Sequence, residues 1–100
     1  MNDNTFENFE IQLITQKITI QVQKRNNRQC FTVITGWESD LDLVKICSFL
    51  KKKLNCGGNI IKDENHGEVM TLTGDQKKNV YDFLIEQEIY KAEDIILKGI

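Results

Sequence analysis

Proline is absent from these 100 residues, so every turn must be built from other residue types. No apolar run approaches the roughly 20 residues of a membrane-spanning helix. The opening stretch MNDNTFENFE is acidic and carries no apolar signal region. Together these absences point to a cytosolic protein that does not engage a membrane. Cysteine is sparse: Cys30, Cys47 and Cys56 are odd in number and lack CxxC spacing, which argues against a disulfide framework. Reduced thiols packed as small hydrophobes are expected instead. Histidine occurs once, as His66, in a polar turn where an exposed position is expected. A three-Cys, one-His site would lack the short ligand spacing of structural zinc, so neither metal nor other cofactor is expected.

What is present suits one globular domain. Apolar residues make up 40% and charged residues 28% of the chain, and a chain of this length builds one modest core. Net charge is -2, but its distribution is uneven. Residues 17 to 62 hold nine Lys/Arg against three acids, a net of +6. The first 16 residues carry -3, and residues 63 to 100 carry -5. A basic middle within an acidic chain suggests one face for a polyanion.

Residues 1 to 16 show no sustained period and read as a flexible tail, with Phe6 and Phe9 isolated in it. KITIQVQ alternates Ile18, Ile20 and Val22 with polar residues, the pattern of a half-buried strand. KRNNRQ follows, then CFTVIT. The two asparagines tolerate left-handed backbone, so this reads as a hairpin. The inward face of the second strand stays open between Phe31/Val33 and Cys30/Ile34, and Gly36-Trp37 ends it with the indole capping the sheet edge. SDLDLVKICSFLKKKLN is predicted helical. Ser39 and Asp42 have capping-box spacing, and Leu43, Ile46, Cys47, Leu50 and Leu54 form its apolar stripe. Lys51, Lys52 and Lys53 fall in its last turn, where cations suit the helix dipole, and Gly57-Gly58 end the segment.

NIIK and EVMTLT read as strands around the turn DENHG. A second helix is expected to about Gln87, with Thr73 and Gln76 at capping-box spacing, Asp75 in its first turn, and Val80, Phe83 and Leu84 as its stripe. DIILKGI closes as a strand. The order ββαββαβ implies a two-layer α/β (α+β) sandwich, a mixed sheet with two helices on one face.

Catalytic patterns are missing. Gly74-Asp75-Gln76-Lys77-Lys78 lacks the spaced glycines and the Gly-Lys-Ser/Thr ending of a phosphate loop. Gly57-Gly58 follows a helix and precedes a strand, the reverse of a dinucleotide loop. Binding patterns remain. Lys24, Arg25, Asn26, Asn27 and Arg28 put three cations and two amides on a hairpin tip, where arginine can grip phosphate bidentately. Lys45 and Lys52, seven apart, share a helix face.

Several stretches in order resemble the eukaryotic translation initiation factor one, or SUI-domain, family. They are the hairpin Gln23–Arg28, the Lys-rich helix end leading to Cys56 and Gly57, the Gly67-Glu68-Val69 turn exit, and the block Gly74–Asn79. The resemblance covers about residues 17 to 100, a SUI domain behind the tail. It implies a non-enzymatic monomer that binds the small ribosomal subunit beside the P site and promotes scanning. Such a factor gates initiator tRNA accommodation and works with other initiation factors. It also implies roles: the Lys24–Arg28 hairpin enters the ribosomal cleft, Lys51, Lys52 and Lys53 (with Lys45 on the same helix) face ribosomal RNA, and Asp75, Gln76, Lys77 and Lys78 form a partner-facing corner used in start-codon fidelity. Asn27 stands where the family commonly has glycine, Lys77 where it has arginine, and Asn8 in FENFE where it has proline. The alternatives are a ribosome-binding relative acting in recycling or an unconventional initiation route, and a small RNA-processing enzyme.

Overall fold

The computed structural model describes residues 17–65 and 67–99. The tail with Phe6 and Phe9, and the turn residue His66, lie outside the described residues. The chain runs β1 (Ile18–Lys24), β2 (Cys30–Thr35), α1 (Leu43–Leu54), β3 (Gly58–Asp63), β4 (Gly67–Thr73), α2 (Lys77–Glu86), a short 3-10 turn (Ala92–Asp94) and β5 (Ile95–Gly99). That is the expected ββαββαβ order. The sheet order is β3-β4-β2-β1-β5. All pairings are antiparallel except β1 with β5, which is parallel and sets Ile18 opposite Ile95. The sheet is therefore mixed.

Register settles the open question of β2. Ile34 lies opposite Ile20 on one side and Met70 on the other, and Thr32 lies between Val22 and Leu72. All six are buried. The inward face is thus the even-numbered one, and Phe31 and Val33 turn to the opposite face. Leu43, Cys47 and Leu50 of α1, and Val80, Phe83 and Leu84 of α2, pack on these rows. Leu50 and Leu84 are fully buried, each contributing roughly 1.5–3 kcal/mol of transfer free energy. Trp37, Tyr90 and Ile95 complete the core. Trp37 is buried rather than merely laid over an edge, and its ring meets Tyr90 edge-on with centroids 6.2 Å apart.

Four local expectations are corrected. The first helix starts at Leu43, after the anticipated Ser39, because the Asp42 carboxylate accepts from the Lys45 amide and makes Asp42 itself the cap. The same helix ends on Asn55, at φ 52, before the glycines are reached. At the second helix, Thr73 is the last residue of β4 and its hydroxyl accepts from Gly57 N, so no capping box forms. Gln76 is the N-cap residue and Asp75 precedes the helix, accepting from the Lys77 amide at 3.3 Å. Finally, neither hairpin asparagine adopts positive φ; among the described non-glycine residues only Asn55 and Glu88 do.

Candidate functional site

The hairpin tip is shaped by a side chain. Asn26 Oδ1 accepts from the amides of Arg28 and Gln29, both at 2.8 Å, and Arg25 N donates to Gln29 O across the loop. Asparagine can stand in for a backbone turn in this way without left-handed backbone. The consequence is an exposed tip on which Arg25 and Arg28 stand beyond the sheet with Asn27 between them, and exposed Lys24 ends β1 at its base. Asn26 is committed to the turn through its carbonyl oxygen.

The polar corner after β4 is tied to the root of that hairpin. Gly74, at φ +84, donates from its amide to Cys30 O at 2.9 Å. The buried Thr32 hydroxyl donates to Gly74 O and accepts from Gln76 N, both at 2.8 Å. Thr32 thus occupies an inward position of β2, where an unpartnered hydroxyl would be costly, and spends both hydrogen-bonding directions on the corner. Gln76 adds a second layer: Nε2 donates to Thr73 O, and Oε1 accepts from Asn79 Nδ2. Sequence reasoning missed Thr32. The available signal was a hydroxyl in the inward register of an otherwise apolar strand face.

A third segment joins at the same end. The exit of α1 is held to β4 through Gly57, whose amide donates to Thr73 Oγ1 and whose carbonyl accepts from Thr73 N. The end of β4 therefore brings together the hairpin root, the corner and the Lys-rich helix exit. Among the described residues, Lys53 is the member of the lysine triplet with a carboxylate, 3.7 Å from Glu86, and it also lies 5.9 Å from the Phe49 ring centre. Lys51 and Lys52 are exposed. Lys45 is not gathered at this end. It sits in the first turn of α1, beside a groove between the helices lined by Phe49, Phe83 and Ile89. Lys77 and Lys78 open α2, so their charges belong to the corner.

Burial raises the thiol pKa of Cys47 above its ordinary value, and it raises that of Cys56 too, against the opposing hydrogen bond from Thr73. Both are thus poor thiolates at neutral pH. Among the described residues no cluster of three metal-ligating side chains occurs, and no helix is long and apolar enough to cross a membrane.

Comparison with known proteins gives one answer. The family profile of translation initiation factor SUI1 matches residues 14–90. Eukaryotic translation initiation factor 1 of Mus musculus is 39% identical over 82 residues, which cover 82% of this chain and 73% of that protein. Protein translation factor SUI1 of Eremothecium gossypii is 38% identical over 82 residues, covering 82% and 76%. A SUI1 homolog from Salix bakko is 39% identical over 82 residues, covering 82% and 73%. Among solved structures, the C-terminal domain of human eIF2D superposes with a TM-score of 0.72 at 17% identity. That match covers 81% of this chain and 42% of the other, and bears on the fold.

Proposed function

The chain belongs to the translation initiation factor SUI1 family, and from that premise we propose that it binds the small ribosomal subunit near the P site and enforces start-codon selection. In this reading the protein carries out no chemistry. The hairpin Lys24–Arg28 occupies the cleft where initiator tRNA must settle, opposing full accommodation until a start codon pairs. Lys51 and Lys52 hold the body against ribosomal RNA, with Lys53 and Lys45 contributing at longer range. Asp75, Gln76, Lys77 and Lys78 form the contact whose release accompanies recognition. The protein acts in the cytoplasm as a monomer, alongside other initiation factors.

The observation that carries this reading is the convergence at the end of β4. Hairpin, corner and helix exit are separate in sequence, yet Gly57, Cys30 and Thr32 bond directly to Thr73, Gly74 and Gln76. Lys24, Arg25, Arg28, Lys51, Lys77 and Lys78 are thereby grouped at one end of the sheet, a charge pattern suited to a folded polyanion. The test is co-sedimentation of purified protein with small ribosomal subunits, followed by addition of large subunits. Binding that large subunits displace supports the proposal. Absence of binding at low salt overturns it.

A further inference from the structure

Both helices pack on one face of the sheet, which leaves the other face open at the foot of the hairpin. There the outward residues of β2, β4 and β3 line a groove of about 710 Å³. Its volume lies within the roughly 300–1,000 Å³ typical of ligand sites. The floor is apolar: Phe31 is half-buried and Ile61 is 50% exposed. Between them lies a polar pair, in which the Thr71 hydroxyl donates to Asn59 Oδ1. This leaves the Asn59 NH2 to donate outward. Arg25 and Arg28 stand at the hairpin end, and among the described residues neither is paired with a carboxylate.

We propose that this groove binds single-stranded RNA, with one base lying against Phe31 and the neighbouring phosphates held by Arg25 and Arg28. The inference rests on the reading of the hairpin as an RNA-facing element and adds a base-contacting floor to it. Each part matches one part of a nucleotide. A flat ring takes a base face, and every base offers one. Guanidinium groups fit phosphate oxygens. The Asn59 amide, on the wall of the same groove, can donate to an acceptor on a base edge. An acidic peptide would engage the arginines equally well. It would leave the aromatic ring and the amide–hydroxyl pair without a matching planar partner, so the groove favours RNA.

The test uses the whole chain and two fluorescent probes of equal phosphate number, octauridylate and an abasic ribose-phosphate octamer. The wild type should bind octauridylate about 5- to 150-fold more tightly than the abasic strand, the range one stacked base provides. F31L, which retains apolar bulk, should lose that preference, and F31W should keep it. R25A combined with R28A should weaken both probes alike. Ultraviolet cross-linking of octauridylate should map to the Cys30–Phe31 peptide. Equal binding of the two probes, an unchanged preference in F31L, or stronger competition by an acidic octapeptide than by unlabelled octauridylate would each overturn the groove assignment. Small-subunit binding is measured on the same proteins. Subunit binding that survives while octauridylate shows no base preference sinks the groove alone. Loss of both in the wild type sinks the broader function as well.

Discussion

The hydroxyl oxygen of Thr32 lies 2.8 Å from the amide nitrogen of Gln76, 44 residues further along the chain. Because the same hydroxyl donates to Gly74 O, one buried side chain on β2 fixes the path of the corner. Replacing it with an isosteric valine leaves Gly74 O and Gln76 N without those partners. T32V should lose about 1–3 kcal/mol of stability, the usual cost of stranding partly buried polar groups. T32S, which keeps the hydroxyl, should recover most of it. Denaturant unfolding of both variants checks this, and equal loss in the two would assign the effect to the methyl group instead.

Gln76 and Lys77 allow stability to be separated from function. The Gln76 side-chain bonds to Thr73 O and Asn79 are solvent-exposed, while the corner itself is held through its own backbone, by the Thr32 hydroxyl and by Cys30 O. Removing both side chains, Q76A with K77A, should therefore cost no more than about 1 kcal/mol, at the low end for a cap position. Near-cognate initiation in a reconstituted scanning assay should nonetheless rise. A stable double mutant with unchanged codon discrimination would remove these residues from the fidelity surface.

Asn26 separates shape from charge. N26A abolishes the two bonds that hold the amides of Arg28 and Gln29, and changes no formal charge. Subunit affinity should drop several-fold through loosened presentation of the arginines. The salt dependence of binding should stay near that of the wild type, and thermal unfolding should barely move. Unchanged affinity would mean that the turn geometry is irrelevant to binding.

Salt dependence itself is diagnostic. If about four phosphates are contacted by the hairpin and the α1 exit, log affinity should fall against log salt with a slope of roughly -3 to -4. K51A combined with K52A should flatten that slope by about 1 to 2, one per lost contact. A slope near zero in the wild type would remove the electrostatic account of binding.

Alkaline conditions should unfold the protein for a reason legible in its core. Burial raises the Tyr90 hydroxyl above its ordinary 10.0, with the Glu38 and Asp40 carboxylates adding to the rise and the hydrogen bond from Glu38 N opposing it. Burial likewise raises Cys47 above 9.0. The folded chain then holds protons that the unfolded chain has already released. Stability is accordingly retained through neutral pH and falls as pH rises through 9.0 and 10.0 toward the raised values. Y90F should show a shallower decline above pH ~10 while losing about 0.5–1.5 kcal/mol at neutral pH, the net worth of one hydrogen bond. Chemical unfolding across a pH series distinguishes these outcomes.

The elements of this fold were readable where periodicity is strong. Ile18, Ile20 and Val22 alternate, and Leu43, Cys47 and Leu50 repeat at helical spacing; both patterns ended in the core as expected. Boundaries were less legible, because the cap of each helix is decided by competition among several acceptors. Asp42 outcompeted Ser39, and Thr73 was diverted to Gly57 before it could cap α2. The β2 face could not be read from β2 alone, since Phe31 is as apolar as Ile34. Partners from β1 and β4 decide it. The charge clusters proposed as the site stand out in the sequence, but the bonds that gather them run between residues 16 to 44 positions apart, and spacing says nothing about those.

The parallel pairing of β5 with β1 carries a consequence for how the chain comes off the ribosome. Ile18 and Ile95 are neighbours in the sheet, yet nearly the whole domain is synthesised between them. Until β5 emerges, β1 is an edge strand whose buried residues Ile18, Ile20 and Val22 already belong to the core while its outer backbone groups stay unpaired. Such an edge can pair with another nascent copy. Closing a loop of this length adds entropy cost only logarithmically, but it slows the search for the native pairing. The sheet should therefore be completed only once β5 has been synthesised. Damage at β5, such as a missing codon, should appear first as aggregation of the nascent product.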